Sequence, residues 1–355
     1  MAVAAVVSIP RRLAIPISPG AFRLLLAMIV FVHHISSFGF GPYAVYVFFV
    51  LSGFWVQSMW NGRYSKTRNP YLTFLVSRVW RLAPVMVLAT MTTVPLLLLI
   101  GVPADKVFAA TPLHFAFSSV FLLGYSWLPY LPIGSAWSLD VEMQFYALAP
   151  LLAVFVKRAG WPLALAAAAL TSLAASTFID HPVLPKNIFF FVVGMAAAAF
   201  DWRPSARFAW LSGLSVVAIT VLVTLSPWRG LLFGGAHPQP IFAWNAIYNI
   251  ALAVLTIPFA LCTVRQPSDD LDGDMGAMSF IIYLFHWVAS QWFVSISGPF
   301  SVRLEVALIS LVTVPLVSTL VLVFFDRPID RLRSRWVRQR QQDSRPVGAP
   351  VASAT

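Results

Sequence analysis

A small set of ionisable residues interrupts the long apolar stretches of this sequence, and two of them share one helical face. Arg23 and His34 are eleven positions apart. At 100° per residue this is about 1100°, only ~20° from three full turns, so both side chains project from one face about 16 Å apart along the axis. His33 points about 100° away from His34. The other members of the set are Asp140, Glu142 and His286.

The Arg23–His34 pair suits proton transfer next to an anion. A guanidinium can hold a phosphate or carboxylate through two hydrogen bonds, and a neutral imidazole can accept a proton from a hydroxyl. An alternative interpretation needs no chemistry: Arg23 extends its charged end to a membrane interface, and His34 hydrogen-bonds a neighbouring helix. The pair alone does not decide between these interpretations.

The elements that position these residues are apolar helices. Of the 355 residues, 59% are hydrophobic and 10% are charged, compared with roughly 25% charged residues in an ordinary soluble domain. Apolar runs recur that are long enough to cross about 30 Å of hydrocarbon as helices, without the short alternating segments of a membrane β-barrel. The sequence therefore predicts an all-α, polytopic transmembrane helical bundle of about ten spans. The predicted spans are 18–37, 42–60, 83–101, 141–156, 161–178, 186–200, 208–226, 241–262, 277–296 and 304–325.

The charge distribution sets the predicted topology. With ten spans and the N-terminus inside, nineteen of the 24 basic residues fall on the cytoplasmic side, four fall outside and Arg23 lies within the first helix. An eleventh span in the Pro-broken stretch 102–140 would reverse everything after it and destroy this bias, so that stretch is predicted to be an external or re-entrant loop. Both termini are then cytoplasmic. Residues 1–330 form one membrane domain, and 331–355 form a tail that is first basic and then disordered.

The same distribution excludes a nucleic-acid-binding function. The net charge is +11, but the basic residues lie between apolar runs rather than on one surface, which is typical of a topology signal. The single cysteine, Cys262, excludes an intramolecular disulfide and a cysteine-based metal cluster. The acidic run at 269–274 lacks the final glutamate of an EF-hand and is expected to be a solvated loop, so no metal site is predicted.

Five motifs occur in order along the chain. They are Arg23-x10-His34, FFVLSGF at 48–54, Arg78-x-x-Arg81 followed by Pro84, WSLDVEMQFY at 137–146 and SFIIYLFH at 279–286. Together they resemble the acyltransferase-3 family of bacterial integral-membrane O-acyltransferases, over about residues 20–325. The resemblance implies an acyl-CoA-dependent enzyme of the bacterial plasma (inner) membrane, with acetyl-CoA as the usual donor.

The resemblance also assigns roles to four residues. It makes Arg23 and His34 residues that activity requires, and it associates Arg78 and Arg81 with donor binding. Arg78 and Arg81 are i, i+3 neighbours near a helix start in a basic loop, where they suit the phosphates of coenzyme A. Positive-inside topology is the alternative explanation of their charge.

The remaining candidates have less defined roles. Glu142, at the start of the fourth span, is predicted either to act in catalysis, by orienting a histidine or binding the acceptor hydroxyl, or to pair with an arginine inside the bundle. Asp140 is expected to be a helix N-terminal acid. Phe280 stands where the family commonly has a tyrosine. Support on the acceptor side is expected from Tyr283, His286, Trp137 and Tyr146.

These features predict a membrane-bound O-acyltransferase that moves an acyl group, acetyl in the simplest case, from acyl-CoA to a carbohydrate hydroxyl. The expected acceptor is a cell-envelope or exported polysaccharide, lipopolysaccharide or glycolipid, and the other partners are acyl-CoA and the lipid bilayer. One alternative within the same chemistry is acylation of a small secondary metabolite such as a macrolide. From other classes, a transporter or flippase would show symmetric Gly/Pro-broken spans, and no convincing internal repeat is present. A non-catalytic assembly subunit would tolerate replacement of Arg23 and His34.

Overall fold

The computed structural model describes residue 15 and residues 17–235, 237–296 and 299–343. No strand occurs within these residues, which contain one isolated antiparallel bridge between Phe38 and Phe233, so the all-α prediction is confirmed. The helices are α1 (Pro19–His34), α2 (Gly41–Gly62), α3 (Pro70–Leu99), α4 (Ala104–Val107), α5 (Pro112–Phe121), α6 (Trp137–Phe178), α7 (Leu184–Ala199), α8 (Ala206–Leu225), α9 (Asn245–Thr263), α10 (Asp270–Ser295), α11 (Phe300–Val321) and α12 (Arg327–Gln342).

Helix α6 reverses direction at Gly160, whose φ of 78° and ψ of 161° lie outside the helical range. The backbone N–H of Leu184, just beyond the end of α6, donates to Oε1 of Gln144 near its beginning over 2.9 Å. A straight helix would separate these two regions by about 50 Å. The two arms of α6 therefore run in opposite directions, and they match the separate spans predicted at 141–156 and 161–178.

Seven of the described helices are long and apolar enough to cross a membrane, when the two arms of α6 count once. Helices α1 and α7 are apolar but shorter, at 16 residues each. Each predicted span overlaps one of these nine helices, and two of the spans fall on the two arms of α6. The protein is thus a polytopic helical membrane protein. The count of ten spans and the cytoplasmic position of the termini stay predictions.

Helix α3 begins earlier than the third predicted span. It starts at Pro70, which follows Asn69 in the left-handed conformation with φ of 55°, whereas the span was predicted from residue 83. Proline is favoured at the first helical position because its fixed φ suits the helix and its missing N–H costs no hydrogen bond there. Arg78 and Arg81 therefore lie inside α3, about two and about three turns beyond its first residue.

The loop predicted at 102–140 and the tail predicted at 331–355 both contain helical residues. The stretch 102–140 includes α5, whose 10 residues are about 15 Å long, half of the hydrocarbon thickness of a bilayer. The basic part of the predicted tail forms α12, which the sequence analysis did not predict. Residues 344–355, predicted to be disordered, lie outside the described residues.

The chain divides into two compact units, Met1–Ser52 with Phe200–Pro315 and Gly53–Ala199 with Leu316–Thr355. In the first unit, α1 and α10 pack side by side and run in the same direction. Gly20 lies against the main chain of Asp272 near the starts of both helices, and His34 at the end of α1 lies against His286 farther along α10.

Asp272 joins the beginnings of these two helices. Its Oδ1 accepts hydrogen bonds from the backbone N–H groups of Gly20 at 2.7 Å and Ala21 at 3.1 Å. The first N–H groups of a helix have no partner within it, and a carboxylate also complements the positive end of the helix dipole. Asp272 is 3% exposed. The expectation of a solvated acidic loop is therefore wrong for this residue, which caps α1 from the first turn of α10.

The turn after α1 is fixed by buried amides of α9. Nδ2 of Asn245 and Nδ2 of Asn249 donate to the carbonyl oxygen of Gly39 at 2.8 Å and 3.0 Å. Oδ1 of Asn249 accepts from the backbone N–H of Tyr43 at 3.0 Å. Since this turn follows directly after His34, the hydrogen bonds hold the end of α1 in place.

The second unit contains the part of α2 from Gly53 onward, together with α3, α6, α7 and α12. Gly53 of α2 lies against the main chain of Phe191 of α7, where a larger residue would overlap the backbone. The Phe191 ring stacks on Phe145 of α6 with centroids 4.2 Å apart. Nη1 of Arg333 on α12 donates to Oγ of Ser77 on α3 at 2.9 Å. The basic C-terminal helix is therefore part of this unit's packing.

Candidate active site

The side of α1 that carries His34 meets α10 in a cluster of rings. The His34 imidazole stacks on that of His286, with centroids 5.2 Å apart and an interplanar angle of 24°. The Trp287 ring stands edge to face against His34 at 4.9 Å and 82°. His34 is partly exposed, and its side chain has no hydrogen-bond partner among the described residues. Its ring is therefore held by packing while its nitrogens are available for chemistry.

His286 has one engaged and one unengaged ring nitrogen. Its Nδ1 lies 3.0 Å from the carbonyl oxygen of Ile282. A carbonyl only accepts hydrogen bonds, so in the neutral ring Nδ1 carries the proton and Nε2 presents a lone pair. Nε2 is buried and has no partner within the described part of the chain. His286 can therefore accept a hydrogen bond or a proton at a defined position.

His33 is turned toward the loop after α1. Its Nδ1 lies 3.0 Å from the carbonyl oxygen of Phe38, and its ring packs against Gly41, leaving no room there for a side chain. Its ring also contacts that of His34 at 4.7 Å. As the helical phase predicts, His33 and His34 point in different directions. The contacts of His33 stabilise the turn that follows α1.

Arg23 faces the same neighbour as His34. A Cβ atom added to Gly276 of α10 would lie 3.3 Å from Nη1 of Arg23, so the guanidinium passes over this glycine. Arg23 is partly exposed. Both members of the predicted pair thus lie on the side of α1 that packs against α10, three turns apart along the helix.

Arg78, in the second unit, is enclosed by aromatic rings. Its Cζ lies 5.5 Å from the ring centroids of Tyr64 and Phe74 and 5.7 Å from that of Tyr146. Its Nη2 donates to the Tyr64 hydroxyl at 2.9 Å, and the residue is 9% exposed. Its Nε is buried and has no partner in the described ranges. Cation–π contacts, the hydrogen bond to Tyr64 and a second one from Nη2 to Sδ of Met59 at 3.6 Å fix the charge in place.

Arg81 lies one turn farther along α3 and forms an ion pair. Its Nη1 is 2.7 Å from Oδ1 of Asp326, and the side chains are 20% and 5% exposed. Asp326 ends a five-residue π-helical segment between α11 and α12. Sequence spacing gives no sign of this pair, because its members are 245 positions apart.

Glu142 is linked to Arg78 through Tyr146. The Tyr146 hydroxyl, one turn along α6, donates to Oε1 of Glu142, and the Tyr146 ring contacts the Arg78 guanidinium. Trp137 is the first residue of α6.

In the first turn of α6, Asp140 accepts hydrogen bonds from the backbone N–H groups of residues 124 and 126 at 3.2 Å and 2.8 Å. Its predicted place as a helix N-terminal acid is confirmed, and it also fixes the preceding loop.

The candidate residues thus form two groups, each within one unit. Tyr283 joins the first group, since its buried ring lies 6.0 Å from that of His286. The first group contains Arg23, His34, Tyr283 and His286, and the second contains Arg78, Arg81, Trp137, Glu142 and Tyr146.

Three further residues of the two units were not found from the sequence. Trp287 follows SFIIYLFH directly, and Tyr64 lies in the connection between α2 and α3; neither residue type is unusual at a membrane interface. Gln57 gave a clearer signal, because an amide side chain is rare in an apolar helix. It is fully buried, and both its polar atoms have no partner among the described residues.

Comparison with known proteins agrees with the resemblance seen in the motifs. A family model described as an acyltransferase domain, that of the acyltransferase-3 family, matches residues 18–325. No curated protein and no solved structure matches the chain. The matched residues include both groups of candidate residues and most of the described helices. The chain belongs to the acyltransferase-3 family and is a membrane acyltransferase.

Proposed function

We propose that this acyltransferase moves an acyl group, acetyl in the simplest case, from acyl-CoA to a hydroxyl of a cell-envelope or exported carbohydrate in the bacterial inner membrane. The observation that carries the proposal is the His34 ring. It is held between His286 and Trp287 while its nitrogens are unbonded among the described residues, and Arg23 lies on the same side of the helix. Family membership supports the general reaction.

In the simplest mechanism, His34 acts as a general base. It accepts the proton of the acceptor hydroxyl as the oxygen attacks the thioester carbonyl carbon. The carbon–sulfur bond then breaks, and the thiolate of coenzyme A takes up the proton from the imidazolium. In the alternative version, a His34 nitrogen attacks the thioester and displaces the coenzyme A thiolate. The acceptor hydroxyl then takes the acyl group from the imidazole, and its proton passes to the thiolate. Both versions require an unbonded imidazole nitrogen.

We assign binding of the acyl-CoA donor to Arg23, Arg78 and Arg81. Arg23 would receive an anionic part of the donor at its position near Gly276. Arg81 would bind a phosphate by exchanging the carboxylate of Asp326 for it, which is chemically reasonable because both are oxyanions. Arg78 has less freedom, since three aromatic rings enclose its guanidinium. We therefore assign Arg81 the more direct contact with the donor and Arg78 a supporting place beside it.

Glu142, Tyr146, Trp137, Tyr283 and His286 are assigned to positioning or to the acceptor side. The free lone pair of His286 Nε2 suits a hydroxyl of a sugar. The Glu142–Tyr146–Arg78 connection favours an electrostatic role for Glu142 through Tyr146. No observation favours a small metabolite over a carbohydrate acceptor.

The test uses purified full-length protein in detergent or liposomes, with acetyl-CoA carrying a labelled acetyl group and an envelope carbohydrate fraction from cells that lack the gene. We expect release of free coenzyme A thiol and transfer of label to carbohydrate. His34→Gln and His34→Ala should lower the rate by about 10²-fold or more, the usual contribution of a general base. His33→Gln is the matched control, because it changes the adjacent imidazole, and it should keep activity within a few-fold.

Two results would oppose the proposal. Wild-type transfer rates in a folded His34→Ala protein would remove His34 from the chemistry. Absence of any thiol release from acetyl-CoA, with mass analysis of envelope polysaccharide unchanged by gene deletion, would exclude the proposed donor and acceptor.

A further inference from the structure

Trp287 packs its indole ring against His34, and the N–H group of that ring is buried. Its indole Nε1 is inaccessible to solvent and has no hydrogen-bond partner among the described residues. Its ring meets the His34 ring edge to face at 4.9 Å. The residue lies one position beyond the motif SFIIYLFH and belongs to none of the five motifs in the sequence.

An unpaired indole N–H at such a place is energetically costly. Buried tryptophan N–H groups usually find a partner, and a buried donor without one costs about 1–3 kcal/mol. The indole N–H can only donate. The group that completes it must therefore be a hydrogen-bond acceptor, and one with negative charge would be bound most strongly.

Neither His286 nor Arg23 can donate a hydrogen bond to an oxygen beside His34. His286 Nδ1 donates to Ile282, so its Nε2 is the unprotonated nitrogen and offers a lone pair. Arg23 is a strong donor, but it lies about 16 Å from His34 along the α1 axis. Within the ring cluster of His34, His286 and Trp287, the indole is thus the group suited to donate to an oxygen next to His34.

We propose that Trp287 is a catalytic residue whose Nε1–H donates a hydrogen bond to the thioester carbonyl oxygen as it becomes an oxyanion. The proposal rests on the acyl-transfer function proposed above. Preorganised donors aimed at developing negative charge are a major source of catalysis in acyl transfer. The ring cluster would then combine a base for the attacking hydroxyl with a donor for the carbonyl.

The transfer step forms one carbon–oxygen bond and breaks one carbon–sulfur bond. His34 takes the hydroxyl proton, the hydroxyl oxygen forms a bond to the carbonyl carbon, and the carbonyl π electrons move to oxygen, which accepts the indole hydrogen bond. Collapse reforms the carbonyl and breaks the carbon–sulfur bond. The proton on His34 moves to the departing thiolate, so the products are the ester and the coenzyme A thiol. Trp287 gains and loses no proton.

The decisive variant removes the N–H and keeps an aromatic ring. Trp287→Phe should lower kcat by about 10²-fold, the typical effect of removing one oxyanion donor, while KM for acetyl-CoA stays nearly unchanged, because the bond strengthens only in the transition state. Trp292→Phe is the matched control on the same helix. Its side chain is 50% exposed, and we expect wild-type kinetics.

A second replacement separates chemistry from packing. Benzothienyl-alanine at position 287 replaces the indole N–H by sulfur and preserves the bicyclic shape, so it answers the question even if Trp287→Phe does not fold. We expect the same loss of kcat with a melting temperature that is unchanged or higher, because the replacement also removes the unpaired buried donor. If the benzothienyl protein keeps wild-type kcat while His34→Gln is inactive, Trp287 is only a packing residue and the proposed function stands. If His34→Gln is active, the proposed function itself fails.

Discussion

At the scale of residues, the structure separates groups that share a type by what surrounds them. His33 and His34 are adjacent, yet His33 bonds its own loop at Phe38 whereas His34 stands unbonded among rings of α10. Arg78 and Arg81 are one turn apart, yet one is enclosed by aromatic rings and the other is paired with Asp326. Chemical availability therefore depends on the neighbours, because a side chain already satisfied by a partner must lose it before binding a substrate.

Because Arg81 forms an ion pair with Asp326, its contribution to donor binding can be measured separately from its contribution to protein stability. Arg81→Ala leaves the Asp326 carboxylate buried without its partner, so we expect a loss of about 3–5 kcal/mol, typical of a buried ion pair that loses one member. Adding Asp326→Asn removes the uncompensated charge and should recover much of that stability, measured as the melting temperature in detergent. If Arg81 binds the donor, KM for acetyl-CoA stays raised in the double variant. A KM that returns to the wild-type value would show that Arg81 serves only structure.

At the scale of elements, the pairing of α1 with α10 positions the candidate base. Asp272 caps the start of α1, Gly20 and Gly276 allow close approach, and the rings of His34, His286 and Trp287 meet farther along. Because each helix is rigid over this length, a displacement at the Gly20 end changes the position of His34 as well. Small residues at such contacts let helix backbones approach closely in membrane proteins.

Gly20 provides a direct test of this pairing. In Gly20→Ala the added Cβ would overlap the main chain of Asp272, so we expect a loss of about 1–3 kcal/mol, as for other overpacked sites, together with a lower transfer rate. The control is Gly273→Ala, also near the start of α10, where a Cβ meets nothing within 4 Å. This change should be neutral or slightly stabilising, since alanine favours helix more than glycine does. Equal melting temperatures for the two variants would contradict the proposed close contact.

At the scale of the whole molecule, the direction of the helices bears on topology. Helices α1 and α10 run in the same direction, since Gly20 lies at Asp272 and His34 at His286. If both cross the membrane, they must do so in the same sense. The ten-span arrangement makes them the first and ninth spans and meets this condition. A crossing within 102–140 would make α10 the tenth span, and α1 and α10 would then cross the membrane in opposite directions. The parallel packing of these helices therefore supports the charge-based prediction.

Cysteine labelling in intact cells tests the ten-span topology. In a Cys262→Ser background, a membrane-impermeant maleimide should label Ala109→Cys and Asp180→Cys from outside. Gly62→Cys and Arg335→Cys should react only after permeabilisation, as the excess of basic residues inside predicts. Labelling of Arg335→Cys from outside, with Asp180→Cys protected, would instead indicate eleven spans. Activity of each variant confirms that it is folded.

The sequence alone was sufficient for the helical membrane class, the positions of the apolar helices and the family. Each of these depends on local or ordered features: apolar length, helical phase and motifs that any member carries in the same order. The phase of α1 also distinguished His34 from His33, because a regular helix fixes the direction of each side chain. Helix ends were predicted less well, as at α3, because a polar turn can extend a helix beyond its apolar part.

Only the tertiary structure decided which residues meet. It brought Trp287 to His34, paired Arg81 with Asp326 and used Asp272 to cap α1. These contacts join residues that are far apart in the chain, and a single sequence contains no periodic signal for them. It also showed that the basic C-terminal segment is a helix packed on α3 through Arg333. Spacing along one helix is set by local geometry, whereas the partner across a helix interface is set by the packing of the whole unit.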